Sequence, residues 1–358
     1  RLPFYEHLKN LNGNLEMWLF ALLTLVYIFV ATSDHIPDFS FVNNHFGVCR
    51  DNNHVIGEWR YNQNYTDTDK SFYCCGWNND DFNVSPNICG NVGIMEKEFF
   101  MYAQETPFTQ AGGYACQCDA AEGPEGRLKM HKRERYDWTP SFCYLPPWNA
   151  TQFCELLGDR VLLFRGDSTS VQSAVTLINM IRKNKNLLCY KNIVISYATH
   201  FATRDHNYNS SLLLIDAVKK SKADIVIISA GAHFYDKINI KMDLEFLPHV
   251  LEEVYTVNPN IKFIFKTMNP GHVDCADYNV PLHTYYPSGG HDKYNWKLHP
   301  LFDIYGKQHF KLLNIPILDM SPLYLRPDAH SDCLHLCMPG PLNLFSILLL
   351  NMLYNKEV

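Results

Sequence analysis

The chain has 358 residues, of which 47% are hydrophobic and 14% aromatic, enough for one sizeable apolar core and unlike the composition of a disordered chain. Its 31 basic and 37 acidic residues are interspersed and leave a formal net charge of -6, which excludes the basic footprint of a nucleic-acid-binding protein. A neutral partner such as a sugar suits this balance better.

The first element is "MWLFALLTLVYIFVA", Met17 to Ala31, an apolar run without a charge. It is short for a hydrocarbon core of about 30 Å and also falls within the range of a signal-peptide core. Sixteen residues precede it, among them Arg1, His7 and Lys9, which is long for a signal n-region. The expectation is a short cytoplasmic tail over 1–16, a transmembrane signal-anchor over 17–33 and a linker over 34–48, giving a type II protein of the Golgi membrane. Secretion after cleavage within "VATSD" is the alternative.

All twelve cysteines lie beyond this run, at 49, 74, 75, 89, 116, 118, 143, 154, 189, 275, 333 and 337, as expected for an oxidising lumen. Four sequons, at Asn64, Asn83, Asn149 and Asn209, mark the same side as open to glycosylation. Residues 49–155 hold eight of the cysteines among clustered Asn, Asp and Gly, and read as a disulfide-stapled, loop-rich region.

From 156 to 358 the texture changes. Short apolar runs at 160–164, 192–197, 224–230, 261–267 and 315–320 have no polar face, which predicts strands of a buried parallel sheet. Helical periodicity occupies 170–181, 211–221, 243–255 and 301–313, and an apolar helix closes the chain at 342–354. The pattern predicts a doubly wound α/β fold with a mainly parallel sheet. No G-x-G-x-x-G or P-loop spacing occurs. In such a sheet ligands bind beyond the carboxyl ends of the strands, so candidate residues are sought in the loops there.

Three blocks meet that condition. Arg165-Gly166-Asp167-Ser168 follows the first run: it spells an RGDS adhesion peptide, and it also sets a serine hydroxyl at a strand-to-helix turn, with Gly166 allowing a close bend. Asp167 and Ser168 are equally plain helix caps. Asp332 and His335 lie before the last helix, and an aspartate three residues upstream can hold an imidazole Nδ1–H so that Nε2 accepts the serine proton. The same stretch, with His330, Cys333, His335 and Cys337, carries zinc-compatible atoms, but without C-x-x-C pairs, and lumenal cysteines favour disulfides. Finally, "DIVIISAGAHF" offers the Gly231 N–H and the His233 ring as oxyanion donors, with a histidine satisfied within the core as the competing reading of His233.

These blocks resemble the GDSL/SGNH hydrolase superfamily, and within it the PC-esterase branch, which includes the trichome birefringence-like polysaccharide O-acetyltransferases and the neurexophilin-and-PC-esterase proteins. The resemblance rests on Tyr136 to Ser168, where a Trp-x-Pro-x-x-Cys-x-Leu-Pro approach leads to Gly-Asp-Ser, and on Leu325 to Phe345, with Asp-Ala-His followed by Asp-Cys-x-His-x-Cys-x-Pro-Gly. "GEW" at Gly57 is similar to the Gly-x-Trp that opens the branch's cysteine-rich domain, and "SAGAHF" is similar to neurexophilin-type proteins. Residues 49 to 354 are covered, with 185–320 matching in texture only. Two departures stand out: Gly231-Ala232-His233-Phe234 replaces Gly-x-Asn-Asp, making His233 the positional substitute for the asparagine, and Leu336 replaces a tryptophan.

The resemblance implies an SGNH-like three-layer sandwich and glycan O-acetylation through an acyl-serine. Ser168 would be the nucleophile, His335 the general base and acid, and Asp332 the orienting carboxylate, with Gly166, Asp167, Gly231 and His233 around the oxyanion and substrate. No metal and no bound cofactor are implied. The acetyl donor, acetyl-CoA or another acyl carrier, enters as co-substrate, and the acceptor is a glycan or polysaccharide hydroxyl. An acetyl-esterase using the same triad is the first alternative, and a non-enzymatic adhesion or glycan-binding protein the second.

Overall fold

The computed structural model describes residues 47–63, 100–102, 135–184, 186–201, 214–234, 236–273, 275, 280–285, 292, 294–329, 333–338 and 340–358. Strand β1 (Gly57–Tyr61) pairs antiparallel with β3 (Tyr136–Pro140), while β2 (Phe100–Tyr102) joins the main sheet. Gly57 lies opposite Pro140, and a Cβ there would come within 2.3 Å of the Thr139 carbonyl oxygen, so only glycine lets the two strands close. Helix α1 (Ala150–Leu157), capped by Asn149 Oδ1 accepting from Gln152 N, leads into the α/β body.

There, β4 (Leu162–Gly166), α2 (Ser168–Arg182), β5 (Ile193–Tyr197), α3 (Leu214–Ser221), β6 (Ile225–Ser229), α4 (Lys237–Val257), β7 (Lys262–Lys266), α5 (His299–Leu312), β8 (Ile317–Leu318) and α6 (Asn343–Tyr354) follow one another. The sheet order is β2-β5-β4-β6-β7-β8, parallel except for the antiparallel edge β2. The five predicted strands and five predicted helices all recur, shifted by a few residues at their ends.

Both faces of the sheet are apolar because both are covered. Leu162, Phe164, Ile193, Ile195, Ile225, Ile227 and Ile264 pack on the side of α1, α2 and α6. Their neighbours Leu163, Val194, Val226, Ile228, Phe263 and Phe265 pack on the side of α3, α4 and α5. This period of two, with no polar member, makes each strand read as a continuous apolar run. The result is a three-layer α/β/α arrangement. Phe345 of α6 and Phe164 of β4, both fully buried with ring centroids 5.7 Å apart, typify the first interface, where truncating either ring to alanine costs about 3–5 kcal/mol.

Between described residues, three disulfides brace the body: Cys49–Cys143, Cys154–Cys189 and Cys275–Cys333. Cys337 is also disulfide-bonded. The described part of the cysteine-rich segment lies against the α/β body. Trp59 Nε1 donates to the Pro322 carbonyl at 2.9 Å, the Arg326 guanidinium covers the Trp59 ring at 4.5 Å, and Asn351 of α6 donates to the Cys49 carbonyl at 2.9 Å. Residues 47–358 form one compact unit.

Chain order determines where a ligand can sit. From β4 the chain passes to β5 on one side, then recrosses through α3 to β6 on the other side and continues to β7 and β8. Connections leaving β4 and β6 in opposite directions open a crevice at their carboxyl ends.

Residues 17–33 and the sequons at Asn64, Asn83 and Asn209 lie outside the described residues. Among the described residues, no helix is long and apolar enough to cross a membrane.

Candidate active site

Gly166, the last residue of β4, lies opposite Ser229 of β6, and a Cβ on it would come within 1.8 Å of the Ser229 carbonyl oxygen. Without that side chain the strands keep close pairing up to the point where the chain turns. Asp167 then caps α2: its Oδ1 accepts from Thr169 N at 3.0 Å and from the Thr169 hydroxyl at 2.7 Å. Ser168 is the first residue of α2, and its N–H is one of the amides that a helix start leaves without an intrahelical acceptor.

His335 arrives from the loop between β8 and α6. It is buried, and its Nε2 stands 2.6 Å from the Ser168 hydroxyl oxygen. Helix α2 holds this loop on one face. Gln172 Nε2 donates to the Leu336 carbonyl at 2.9 Å, and one turn further the Thr176 hydroxyl lies 3.2 Å from Met338 Sδ. On its other flank the His272 N–H donates to the Cys333 carbonyl, and Cys333 is bonded to Cys275. Asp332 and His330 lie outside the described residues.

The third block meets the first through Asp167. Its Oδ2 accepts from the N–H of Gly231 at 3.2 Å and of Ala232 at 3.1 Å. This corrects two expectations. The Gly231 amide is engaged by Asp167 instead of facing a reactant, and the Asp167 carboxylate receives four protein donors, so it joins the ends of β4 and β6. Gly231 is needed for a different reason: a Cβ there would lie 2.1 Å from Met268 Sδ. His233 is half-buried on the same sheet edge, its Nε2 3.4 Å from the Tyr197 hydroxyl at the end of β5.

Arg165, the residue an adhesion peptide must expose, is 8% exposed. Its guanidinium donates to the Ser196 hydroxyl at 2.8 Å and to the Tyr197 carbonyl at 3.2 Å, and burial pulls its pKa down to about 10. RGDS is therefore a strand end and a helix cap, not a projecting loop. Cys333 and Cys337, both in disulfides, present no thiolate to a metal.

A serine hydroxyl in contact with an imidazole nitrogen, beside an unsatisfied helix-start amide and at the mouth of a parallel sheet, has the arrangement of an activated nucleophile. No family profile matches the chain. Over 315 residues it is 20% identical to trichome birefringence-like 25 of Arabidopsis thaliana, covering 62% of this chain and 68% of that one. It is 22% identical over 321 residues to trichome birefringence-like 6 of the same plant, covering 69% and 66%. The chain resembles the trichome birefringence-like proteins. It spans about two thirds of the length of these relatives. The two sequence blocks that carry the resemblance are those brought together at Ser168 and His335. Solved structures are more distant. The periplasmic domain of a Salmonella ser. Paratyphi A lipopolysaccharide acetyltransferase aligns with a TM-score of 0.34 and 14% identity over 55% of this chain and 83% of its own. An acetylxylan esterase of Geobacillus stearothermophilus aligns at 0.30 and 16%, over 55% and 93%.

Several residues near the site gave little sign of themselves in the sequence. Gln172 and Thr176 lie four apart on one face of α2, but the helix also buries Ser170, Ser173 and Asn179, so nothing in its sequence set these two apart. Lys266 ends the run "KFIFK" and is fully buried, as is Asn269 just beyond it. His272 and His299 are buried too, and burial pulls both down to about 4, so they are neutral in the fold. Asp303 is buried and pushed up to about 7; its Oδ1 accepts from Met268 N and its Oδ2 from the Tyr324 hydroxyl.

Proposed function

We propose that the protein is a glycan O-acetyltransferase that works through an acyl-serine at Ser168. The observation that carries this reading is the 2.6 Å contact between the Ser168 hydroxyl and His335 Nε2. Ser168 Oγ attacks the acetyl carbonyl of the donor while its proton passes to His335 Nε2; the Ser168 N–H, at the start of α2, faces the developing oxyanion with the help of His233. The tetrahedral adduct collapses, the bond to the donor's leaving group breaks, and His335 returns its proton to that group. A glycan hydroxyl then gives its proton to His335, attacks the acyl carbon and leaves with the acetyl group, restoring Ser168. Asp332 would hold the imidazole in the required tautomer. The donor, acetyl-CoA or another acyl carrier, acts as co-substrate, with no bound cofactor.

The resemblance to trichome birefringence-like proteins supports a polysaccharide acceptor, and the disulfides support an oxidising compartment. Within this proposal residues 17–33 anchor the chain in the Golgi membrane with its body in the lumen, and Asn149, exposed at the start of α1, is a glycosylation site alongside Asn64, Asn83 and Asn209. Water as the acceptor would make the same machinery an acetyl-esterase.

The test is mass spectrometry of the purified chain after exposure to an activated acetyl ester. An acetyl adduct on Ser168 that disappears in Ser168→Ala is expected; acylation elsewhere with Ser168 unmodified would sink the nucleophile assignment. Adding a glycan to the acyl-enzyme separates the two reactions, since free acetate with no labelled glycan would turn the reading to an esterase.

A further inference from the structure

Beneath the Ser168 turn lies a buried cation that the acyl-transfer chemistry does not use. Lys266 closes β7 at the same edge of the sheet, and its side chain is withdrawn from solvent completely. Its ammonium donates to Asn269 Oδ1 at 2.9 Å and to the Thr267 carbonyl at 3.0 Å. Asn269, also fully buried, directs its Nδ2 at the Thr169 carbonyl in the first turn of α2, 3.5 Å away. Thr169 is the residue whose N–H and hydroxyl both bind Asp167. A continuous polar path thus runs from Lys266 through Asn269 and Thr169 to Asp167.

Burying an ammonium costs several kcal/mol unless an anion and hydrogen bonds compensate it. The carboxylates that act on Lys266 are Asp167, at the start of α2, and Asp303, on α5. Asp303 holds a proton more tightly than a free carboxyl does, because burial raises its pKa to about 7. Asp167 accepts from four donors, Thr169 N, Thr169 Oγ1, Gly231 N and Ala232 N. Of the two carboxylates it is the one that clamps the nucleophile turn to the Gly231 loop. Around them stand His299 of α5, held neutral by burial with its Nε2 3.1 Å from the Tyr294 carbonyl, and Asp319, Lys307 and Tyr324, which act on Asp303.

Resting on the acyl-serine reading above, we infer that Lys266 is a positioning residue for Ser168: its ammonium fixes the Asn269 amide, and Asn269 holds the first turn of α2, where Thr169 binds the Asp167 carboxyl that joins β4 to β6. Lys266 touches no reacting atom. Its effect is to hold the hydroxyl where His335 meets it.

The experiment measures single-turnover acetylation of Ser168 by an activated acetyl ester across the pH range, in the wild-type chain, Lys266→Met and Asn269→Ala, with folding checked by circular dichroism. Displacing a nucleophile by a fraction of an ångström slows reaction about 10- to 100-fold, and that loss is expected in Lys266→Met. In Asn269→Ala the rate should fall as well. Addition of ethylammonium to Lys266→Ala should restore part of the rate. An unchanged rate in folded Lys266→Met overturns the inference, as does a failure of ethylammonium to restore any of the rate lost in Lys266→Ala. If Lys266→Met does not fold, Asn269→Ala decides, and wild-type acylation there overturns it. Absence of acylation in the wild-type chain would instead refute the acyl-serine reading itself.

Discussion

The Ser168 hydroxyl and His335 Nε2 lie 2.6 Å apart although 167 positions separate them in the chain. Two loops create that contact, one closing β4 and one preceding α6, and Gln172 and Thr176 of α2 hold the second against the helix that Ser168 begins. If this pair is the acylating unit, His335→Ala should slow acetylation of Ser168 about 10²- to 10⁴-fold, the usual share of a general base, with little change in melting temperature. Rates from the activated acetyl ester, together with thermal unfolding, check both halves.

Asp167 is expected to matter through geometry. Asp167→Ala leaves the N–H groups of Gly231 and Ala232 buried without their acceptor, at a cost of about 1–3 kcal/mol each way the loop fails to relax. Denaturant unfolding should show the loss, and Ser168 acylation should fall with it. A variant as stable and as reactive as wild type would mean that the clamp is incidental.

The glycine closing β4 offers a sharper test of strand approach. In Gly166→Ala the new methyl group meets the Ser229 carbonyl, so β4 and β6 must part, and overpacking of this kind costs about 1–3 kcal/mol. The midpoint of urea unfolding is the measurement.

Adhesion receptors that recognise RGD should ignore the native chain, because Arg165 is enclosed and bound to Ser196 and Tyr197. Binding is expected only after unfolding. Surface plasmon resonance with native and reduced, denatured protein distinguishes the cases, and receptor capture of the native chain that is lost in Arg165→Ala would revive the adhesion reading.

Stability should also depend on pH through the buried imidazoles. His272 and His299 titrate near 6.5 when unfolded and near 4 in the fold, so between those values the unfolded chain binds more protons and stability falls as pH drops. Asp303 works in the opposite sense, since it keeps a proton in the fold up to about 7 and loses it near 3.8 when unfolded. Replacing one imidazole by an uncharged amide, as in His299→Gln, should flatten the acid loss relative to wild type by about 1.4 kcal/mol per pH unit within that window. Unfolding free energies measured at several pH values in both proteins test it.

The α/β order, the five parallel strands and their helices were legible in the sequence because both sheet faces are covered, which turns each strand into an unbroken apolar run. Ser168 was legible for a related reason, since a polar residue at the exit of such a run has only the sheet edge to occupy, whereas His335, well beyond β8, was marked by its spacing from Asp332. What the sequence could not express was which buried groups satisfy one another. Asp167 read alike as a cap and as a substrate ligand, and only the packing of β6 against β4 brought the amides of Gly231 and Ala232 to its second oxygen. Nor did the run 261–267 show that Lys266 would be enclosed completely by the covering layers. Local periodicity determined the layers of this protein. The partners of its buried charges were decided by tertiary structure, because hydrogen bonds join atoms that are close in space, whatever their distance along the chain.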